Sequence, residues 1–97
     1  MKFLALCSSN KDNVANTLDV IFIGQQVEIK YKNIKKTIIS TTKIPKYHKI
    51  ALNDIPKGAS IIKNGICIGT AIEEIDIGAH IHVHNIVSNR AVLKDES

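Results

Sequence analysis

The sequence predicts a mainly β fold, in a single domain of 97 residues with hairpins and little helix. Helical periodicity is poor along almost the whole chain, whereas short Ile- and Val-rich runs recur between Gly, Pro, Asn and Asp residues. A chain of this length builds one core and has no room for a second domain. Because aromatic residues make up 4% of the chain and Trp is absent, the core is expected to consist of Ile, Val, Leu and Ala.

The first expected strand is the apolar stretch Phe3 to Leu6, which is too short for the apolar region of a secretion signal. No apolar run approaches the roughly 20 residues that cross a bilayer. We therefore expect a cytoplasmic protein without membrane contact. The next stretch, from Asp12 to Asp19, is a candidate for a short turn of helix, with Asp12 as its cap before Val14.

Positive charge is concentrated in the middle of the chain, which has a net charge of +4. A stretch without acidic residues contains these lysines: Lys30, Lys32, Lys35, Lys36, Lys43, Lys46 and Lys49. Such a patch attracts nucleic acid, an acidic partner or an anionic substrate. Equally, lysines keep exposed or edge strands soluble. No RNA-binding aromatic signature accompanies the patch, so nucleic acid is an unfavoured partner.

The sharpest local signal is Asn64-Gly65, which lies between the apolar runs Ile61–Lys63 and Ile66–Ile68. Both turn residues tolerate positive φ, so the pattern predicts a β-hairpin with a type I′ turn. Upstream, the stretch Ile55–Gly58 has Pro and Gly where a type I turn favours them. That turn is expected to introduce the first strand of the hairpin.

An internal repeat appears at an offset of twenty residues. The matching pairs are Ala51 with Ala71, Ile55 with Ile75, Gly58 with Gly78, Ala59 with Ala79, and Ile61 with Ile81. A weaker copy is expected from Ala15 through Asp19 and Gly24 to Val27, with two extra residues between its Ala and its Gly. Two clear copies are too few for a solenoid. We predict a pseudo-symmetric fold in which each copy supplies a turn and the strand after it.

The two cysteines, Cys7 and Cys67, lie in apolar surroundings and have no Cys-x-x-Cys spacing. Two buried, reduced thiols are therefore expected, rather than a disulfide or a metal pair. The sequence also lacks a motif for a Ser/His/Asp nucleophile or for a phosphate-binding loop.

The segment His80–Asn85 alternates imidazole with apolar side chains. In a strand, all three of its histidines would face one way, while Ile81 and Val83 would face the core. In the repeat, Ser60 stands opposite the first of these histidines, so the fold itself does not require an imidazole there. Another reason for the histidines is needed.

Neighbouring residues on one face of a strand lie about 6.6 Å apart, so His80 and His82 are a candidate pair of metal ligands. In a straight strand His84 would be roughly 13 Å from His80, and three ligands to one ion would need a bend. The remaining histidine of the chain is His48. Equally, these imidazoles could act as general acids or bases, or could be solvated at a surface.

Several motifs occur together in one order along the chain. They are Lys11–Ala15, Tyr47–Leu52, Asp54–Gly58, Lys63–Gly69 and Gly78–Asn85. Together they resemble the SAF domain of altronate and galactarate dehydratases, which is also found as a small subunit in sulfolactate sulfo-lyase relatives. The stretch from Leu18 to Ile44 matches that pattern poorly, and Tyr47 stands where the family usually has Gly. The resemblance implies a β-clip-like fold and association with a large dehydratase subunit.

The resemblance also implies a reaction, the β-elimination of water from a sugar acid, and a site for it. The implied catalytic residues are His48, His80, His82 and His84, with Lys49 and Asn85 as ligands of the anionic substrate. The implied cofactor is a divalent iron or manganese ion shared with the partner. Two alternatives are the small subunit of a sulfolactate sulfo-lyase and a non-catalytic module that binds carbohydrate or protein. Self-association stays open.

Overall fold

A computed structural model describes residues 4–32, 34–82 and 84–88 of the chain. Within these ranges there are nine strands and no helix, which confirms the mainly β prediction. The strands are β1 (Ala5–Leu6), β2 (Val14–Thr17), β3 (Gln26–Tyr31), β4 (Ile34–Ile39), β5 (Lys49–Ala51), β6 (Ser60–Lys63), β7 (Ile66–Ala71), β8 (His80–Ile81) and β9 (Ile86–Ser88). Phe3, at the start of the first expected strand, lies outside the described residues. The described part of the chain has no helix long and apolar enough to cross a membrane.

The strands form two sheets, a six-stranded one in the order β4-β3-β1-β2-β5-β8 and a three-stranded one in the order β6-β7-β9. Two groups of buried aliphatic side chains form the core. One contains Ala5, Ala15, Ile21, Val27, Ile29, Ile38, Ile44, Ile50 and Leu52, and the other contains Val14, Ala51, Ile55, Ile61, Ala71, Ile75 and Ile81. Every member is Ile, Val, Leu or Ala, as the composition predicted.

The two clear repeats pair with each other about a pseudo-two-fold axis. At the axis, Ile55 and Ile75 exchange two backbone hydrogen bonds, of 2.7 and 2.8 Å. On either side an equivalent bond joins the copies: Gly58 N to Ala71 O at 2.8 Å, and Gly78 N to Ala51 O at 2.9 Å. Each copy supplies a turn and the strand after it, as predicted.

A second pair of copies, residues 17–27 and 40–50, has the same geometry. Ile21 and Ile44 exchange two backbone hydrogen bonds of 2.9 Å. The equivalent positions are Thr17, Ile21, Gly24 and Val27 in one copy, and Ser40, Ile44, Tyr47 and Ile50 in the other. The first copy therefore begins at Thr17, not at the predicted Ala15, and has no extra residues. The copy at 40–50 was not predicted.

Each copy contains a four-residue turn whose third residue has a positive φ angle. In the turn at residues 56–59, Ala59 N donates to Pro56 O at 3.0 Å and Gly58 has φ +90°. A positive φ at the third position is typical of a type II turn. The predicted type I turn over Ile55–Gly58 is therefore wrong in type and in register, because Ile55 pairs with Ile75 instead.

The hairpin between β6 and β7 is confirmed. Its turn residues Asn64 and Gly65 have φ angles of +55° and +74°, as a type I′ turn requires. Cys67 lies next to this turn and is exposed, so its predicted burial is wrong. Cys7 is half-buried, and burial raises the pKa of its thiol. Neither of these two described cysteines forms a disulfide.

Strand β4, at one edge of the six-stranded sheet, carries two exposed lysines, Lys35 and Lys36. The ammonium of Lys36 also donates to Leu52 O at 3.1 Å. Charged side chains on an edge strand hinder pairing with another chain. This position favours the interpretation of the lysine patch as protection of an exposed edge.

The predicted helical turn from Asp12 to Asp19 is wrong, because residues 14–17 form strand β2. Asp12 does accept hydrogen bonds from backbone amides, but these amides are not part of a helix. Its Oδ2 accepts from Ser8 N at 3.2 Å and Ser9 N at 3.0 Å, while its Oδ1 accepts from Gly65 N at 2.9 Å. The buried carboxylate thereby ties the chain before β2 to the tip of the β6–β7 hairpin.

We expect Asp12→Asn to lower the free energy of unfolding by about 1–3 kcal/mol. Asparagine keeps one acceptor oxygen and has an NH2 group in place of the other, so the amides that face the NH2 group lose their partner. Urea unfolding at neutral pH measures the change. The control is Asp76→Asn, an exposed carboxylate that should leave the midpoint unchanged. Equal midpoints for all three chains would contradict the structural role given to Asp12.

Candidate functional site

Strand pairing brings histidines from distant parts of the chain together. Strands β5 and β8 run antiparallel, with Ile50 opposite His80 and Lys49 opposite Ile81. His48 comes directly before β5, at the end of the turn at residues 45–48, where its amide donates to Pro45 O at 3.1 Å. The imidazole of His48 therefore lies beside β8.

The predicted strand from His80 to Asn85 ends at Ile81, and a turn follows. The side chain of Asn85, which is 4% exposed, holds this turn. Its Nδ2 donates to His80 O at 2.8 Å, and its Oδ1 accepts from His82 N at 3.1 Å. These hydrogen bonds use backbone groups that a longer strand would pair with a neighbouring strand. The prediction of a strand beyond Ile81 is therefore wrong. The core-facing role expected of Val83 falls outside the described residues.

All four histidines of the chain meet in one group, called here the histidine cluster: His48, His80, His82 and His84. The Nδ1 of His48 lies 2.9 Å from Nε2 of His80. The rings of His48 and His82 are stacked, with centroids 4.5 Å apart and planes 11° apart. The turn brings His84 to a centroid distance of 5.1 Å from His80, far less than the extended strand would allow.

Electrostatics favour the neutral form of His80 and His82. Burial, followed by the charges of His48, His84, His82 and Lys49, lowers the pKa of His80 to about 4. The pKa of His82 is lowered by the same kinds of cause, burial first. A neutral His80 next to His48 leaves one nitrogen of the contact as donor and the other as acceptor. The pair can therefore accept a proton and pass it from ring to ring.

A cleft of about 330 Å³ opens beside the cluster, on the side of His80 and His84. It is lined by Thr41, Thr42, Lys43, Glu73, Glu74, Ile75, Asp76, Ala79, His80, His84 and Asn85. The acidic residues and Lys43 were not predicted as site residues. Thr42 was missed as well, although its Oγ1 accepts from His80 N at 2.9 Å and fixes the start of β8.

The two predicted substrate ligands differ in their surroundings. Lys49 is half-buried, and burial, then the charge of Lys63, lowers the pKa of its ammonium. Lys49 is close enough to the cluster to lower the pKa of His80, but it is not part of the cleft lining. Asn85 lines the cleft, with both ends of its amide already bonded to backbone. Substrate binding by either residue stays a prediction.

The described residues contain no group of three His, Cys, Asp or Glu arranged to hold a metal ion. The predicted metal pair, His80 and His82, has ring centroids 5.6 Å apart. The Nε2 of His80 instead lies 2.9 Å from Nδ1 of His48, which is a hydrogen-bond distance. Imidazole nitrogen is a donor that suits iron, so the side chains present suit such an ion in kind. Metal binding by these histidines stays a prediction.

We expect Asn85→Ala to destabilise the chain by about 1–3 kcal/mol, because it leaves the amide of His82 and the carbonyl of His80 without their buried partner. Urea unfolding measures this loss, and the NMR titration of the imidazoles reports whether the cluster persists. Exposed Asn53 provides the control, since Asn53→Ala should change neither result. An intact cluster in Asn85→Ala would contradict the role assigned to the turn.

Comparison with known proteins supports the resemblance drawn from the motifs. Residues 3–89 match the model of the altronate/galactarate dehydratase SAF domain. Altronate dehydratase of Escherichia coli (strain K12) is 38% identical over 78 residues, which are 80% of this chain and 15% of that protein. For altronate dehydratase of Bacillus subtilis (strain 168), the identity is 52% over 46 residues, or 47% of this chain and 9% of that protein.

A smaller relative is (2R)-sulfolactate sulfo-lyase subunit alpha of Chromohalobacter salexigens. It is 38% identical over 47 residues, which are 48% of this chain and 50% of that subunit. The matched part of the chain therefore spans at most half the length of each of these three relatives.

Proposed function

The chain belongs to the altronate/galactarate dehydratase SAF domain family, and from this premise we propose that it acts with a larger catalytic chain in the elimination of water from a sugar acid. The observation that carries the proposal is the histidine cluster, in which four imidazoles lie together beside an open cleft. A cytoplasmic location is part of the same proposal.

The chemistry requires one group that accepts a proton and one that gives a proton. The C–H bond next to the carboxylate breaks and its proton goes to a base. The C–O bond on the adjoining carbon breaks, and the leaving hydroxide takes a proton to become water. A carbon–carbon double bond forms and tautomerises to a 2-keto-3-deoxy acid. An imidazole accepts a proton in its neutral form and gives one in its charged form, so neighbouring rings can divide the two roles.

A divalent iron or manganese ion, shared with the larger chain, completes the proposal. When bound, such an ion supplies positive charge for the enolate-like oxygen. The residues that would hold it are His48 and His80, whose ring nitrogens lie 2.9 Å apart in the cluster. Proton transfer would then fall to His82 and His84, and Lys49 would attract the carboxylate from the side of β5.

Electrostatics argue that this chain does not bind the substrate alone. The cleft contains three acidic side chains, Glu73, Glu74 and Asp76, against the single lysine Lys43. Because the acidic side chains outnumber the lysine, this lining repels a carboxylate. Lys49 lies outside this lining, so most of the positive charge that holds an anionic substrate is expected from the larger chain or from the metal, which is why the proposal includes a partner.

The experiment is reconstitution with the larger dehydratase-family chain of the same genome. Formation of a 2-keto-3-deoxy acid from altronate is measured with each chain alone and with both, in the presence of Fe²⁺ or Mn²⁺. We expect activity, or a rate increase of at least tenfold, to require this chain. Equal rates with and without it would contradict the proposal.

A second candidate is the alpha subunit of a sulfolactate sulfo-lyase. It is favoured by the share of the relative that is matched, 50% of the sulfo-lyase subunit against 15% of altronate dehydratase. There the leaving group is sulfite rather than water. Release of sulfite from sulfolactate by the same mixture, with altronate left unchanged, would favour this candidate.

A further inference from the structure

Tyr47 has a backbone conformation that its position in the fold assigns to glycine. It is the third residue of its turn, and it has φ +67°. The equivalent residues of the other three copies are Gly24 at φ +80°, Gly58 at +90° and Gly78 at +86°. A residue with a side chain rarely adopts this region, and a bulky one is an outlier there. Within this chain, three of the four copies avoid the strain with glycine.

The fold gains little from the tyrosine ring. The side chain of Tyr47 is 66% exposed, and the cation that lies over its ring, at 5.0 Å, belongs to its neighbour Lys46. At the equivalent Gly24 and Gly58, an added Cβ would meet nothing within 4 Å. The third equivalent position, Gly78, differs, because a Cβ there would collide with Ile39 O. At Tyr47 itself the side chain is exposed, so it is strained and has little support from packing. Strain of this kind clusters at functional sites.

The position of Tyr47 connects it to the histidine cluster. Its amide donates to Thr17 O at 3.1 Å, and the next residue is His48, whose ring contacts His80. Tyr47 is not among the residues that line the cleft. A small molecule in the cleft therefore has no contact with this ring, whereas a protein surface that covers the cluster would meet it.

We propose that Tyr47 is an anchor for the larger chain that completes the histidine site, an inference that rests on the proposed function. Exposed tyrosine is among the residues that contribute most to protein interfaces, because it offers a rigid apolar body with a polar tip. The ammonium of Lys46 lies over the ring, and Lys49 follows two residues later in the sequence. The socket on the partner is expected to be apolar at its centre and acidic at its rim.

The proposal makes stability and binding change in opposite directions. Tyr47→Gly relieves the strain, so the urea midpoint of this chain should rise. The same substitution removes the anchor, so the Kd for the larger chain, measured by isothermal titration, should rise at least tenfold. Tyr47→Ala should weaken binding equally without the gain in stability, and Tyr47→Phe should restore most of the affinity.

Lys32 provides the matched control. It also has a positive φ angle, +52°, but it lies in the β3–β4 turn, at the opposite edge of the sheet from β8. Lys32→Gly should raise the urea midpoint and leave the Kd unchanged. Wild-type affinity in Tyr47→Gly would overturn the anchor and leave the proposed function standing. No binding by the wild-type chain would overturn both.

Discussion

Gly78→Ala is expected to lower the free energy of unfolding by about 3–5 kcal/mol, a large part of the stability of a small domain. A Cβ at Gly78 would collide with the carbonyl oxygen of Ile39 and lie 3.3 Å from the Cα of Ser40. These are backbone atoms, which cannot turn aside as a flexible side chain can. The backbone of Gly78 is also hydrogen-bonded on both sides. Its N–H donates to Ala51 O at 2.9 Å, and its carbonyl oxygen accepts from Thr41 N at 3.0 Å. Relief would require one copy of the repeat to separate from another.

Gly58→Ala is the matched control, because it has the same place in the adjoining copy. Its φ is +90°, so alanine there has the strain of the left-handed region, about 1–2 kcal/mol. An added Cβ would meet nothing within 4 Å. Urea unfolding of both variants therefore separates backbone strain from collision. Equal losses would show that the contact with Ile39 does not determine the requirement for glycine.

The parts of the fold that could be predicted are those in which local chemistry repeats. Asn64-Gly65 indicates its own turn, because both residues tolerate a positive φ wherever they occur. The copies that begin at Ala51 and Ala71 were visible since they share identical residues at their main positions. The copy that begins at Ser40 shares the geometry but not the letters: it has Ser for Ala and Tyr for Gly. Backbone pairing between the copies does not depend on these side chains, whereas a comparison of amino-acid identities does.

The histidines that meet in the cluster could be named from the sequence, but their arrangement in space could not. The alternation of histidines indicated a functional segment, and the resemblance added His48. What brings His48 to His80 is the pairing of β5 with β8, a contact between residues more than thirty positions apart. The turn that brings His84 back depends on the side chain of Asn85, which has no signature in a period-two pattern. Lys43 and Glu74 reach the cleft from loops of two different copies, so no local motif contains them.

His80→Ala is expected to lower kcat of the reconstituted enzyme by about 10²- to 10⁴-fold, the usual loss when a positioned acid, base or ligand imidazole is removed. His80 contacts His48 through its Nε2, lines the cleft and has the most strongly lowered pKa of the cluster. His82 stacks on His48 and is proposed to transfer protons, so His82→Ala should lower kcat by a factor in the same range.

The matched comparison for His80→Ala is Lys57→Ala, which removes an exposed side chain from the turn of the adjoining copy. It should retain wild-type turnover and show that the assembly tolerates a truncation outside the cluster. Binding of the larger chain must be measured for each variant, because a loss of assembly would also lower the rate. If His80→Ala binds the partner normally and turns over at the wild-type rate, the histidine cluster is not the reacting site. The domain would then contribute shape alone, since the repeat forms the same backbone around Ser60, the equivalent of His80, without an imidazole.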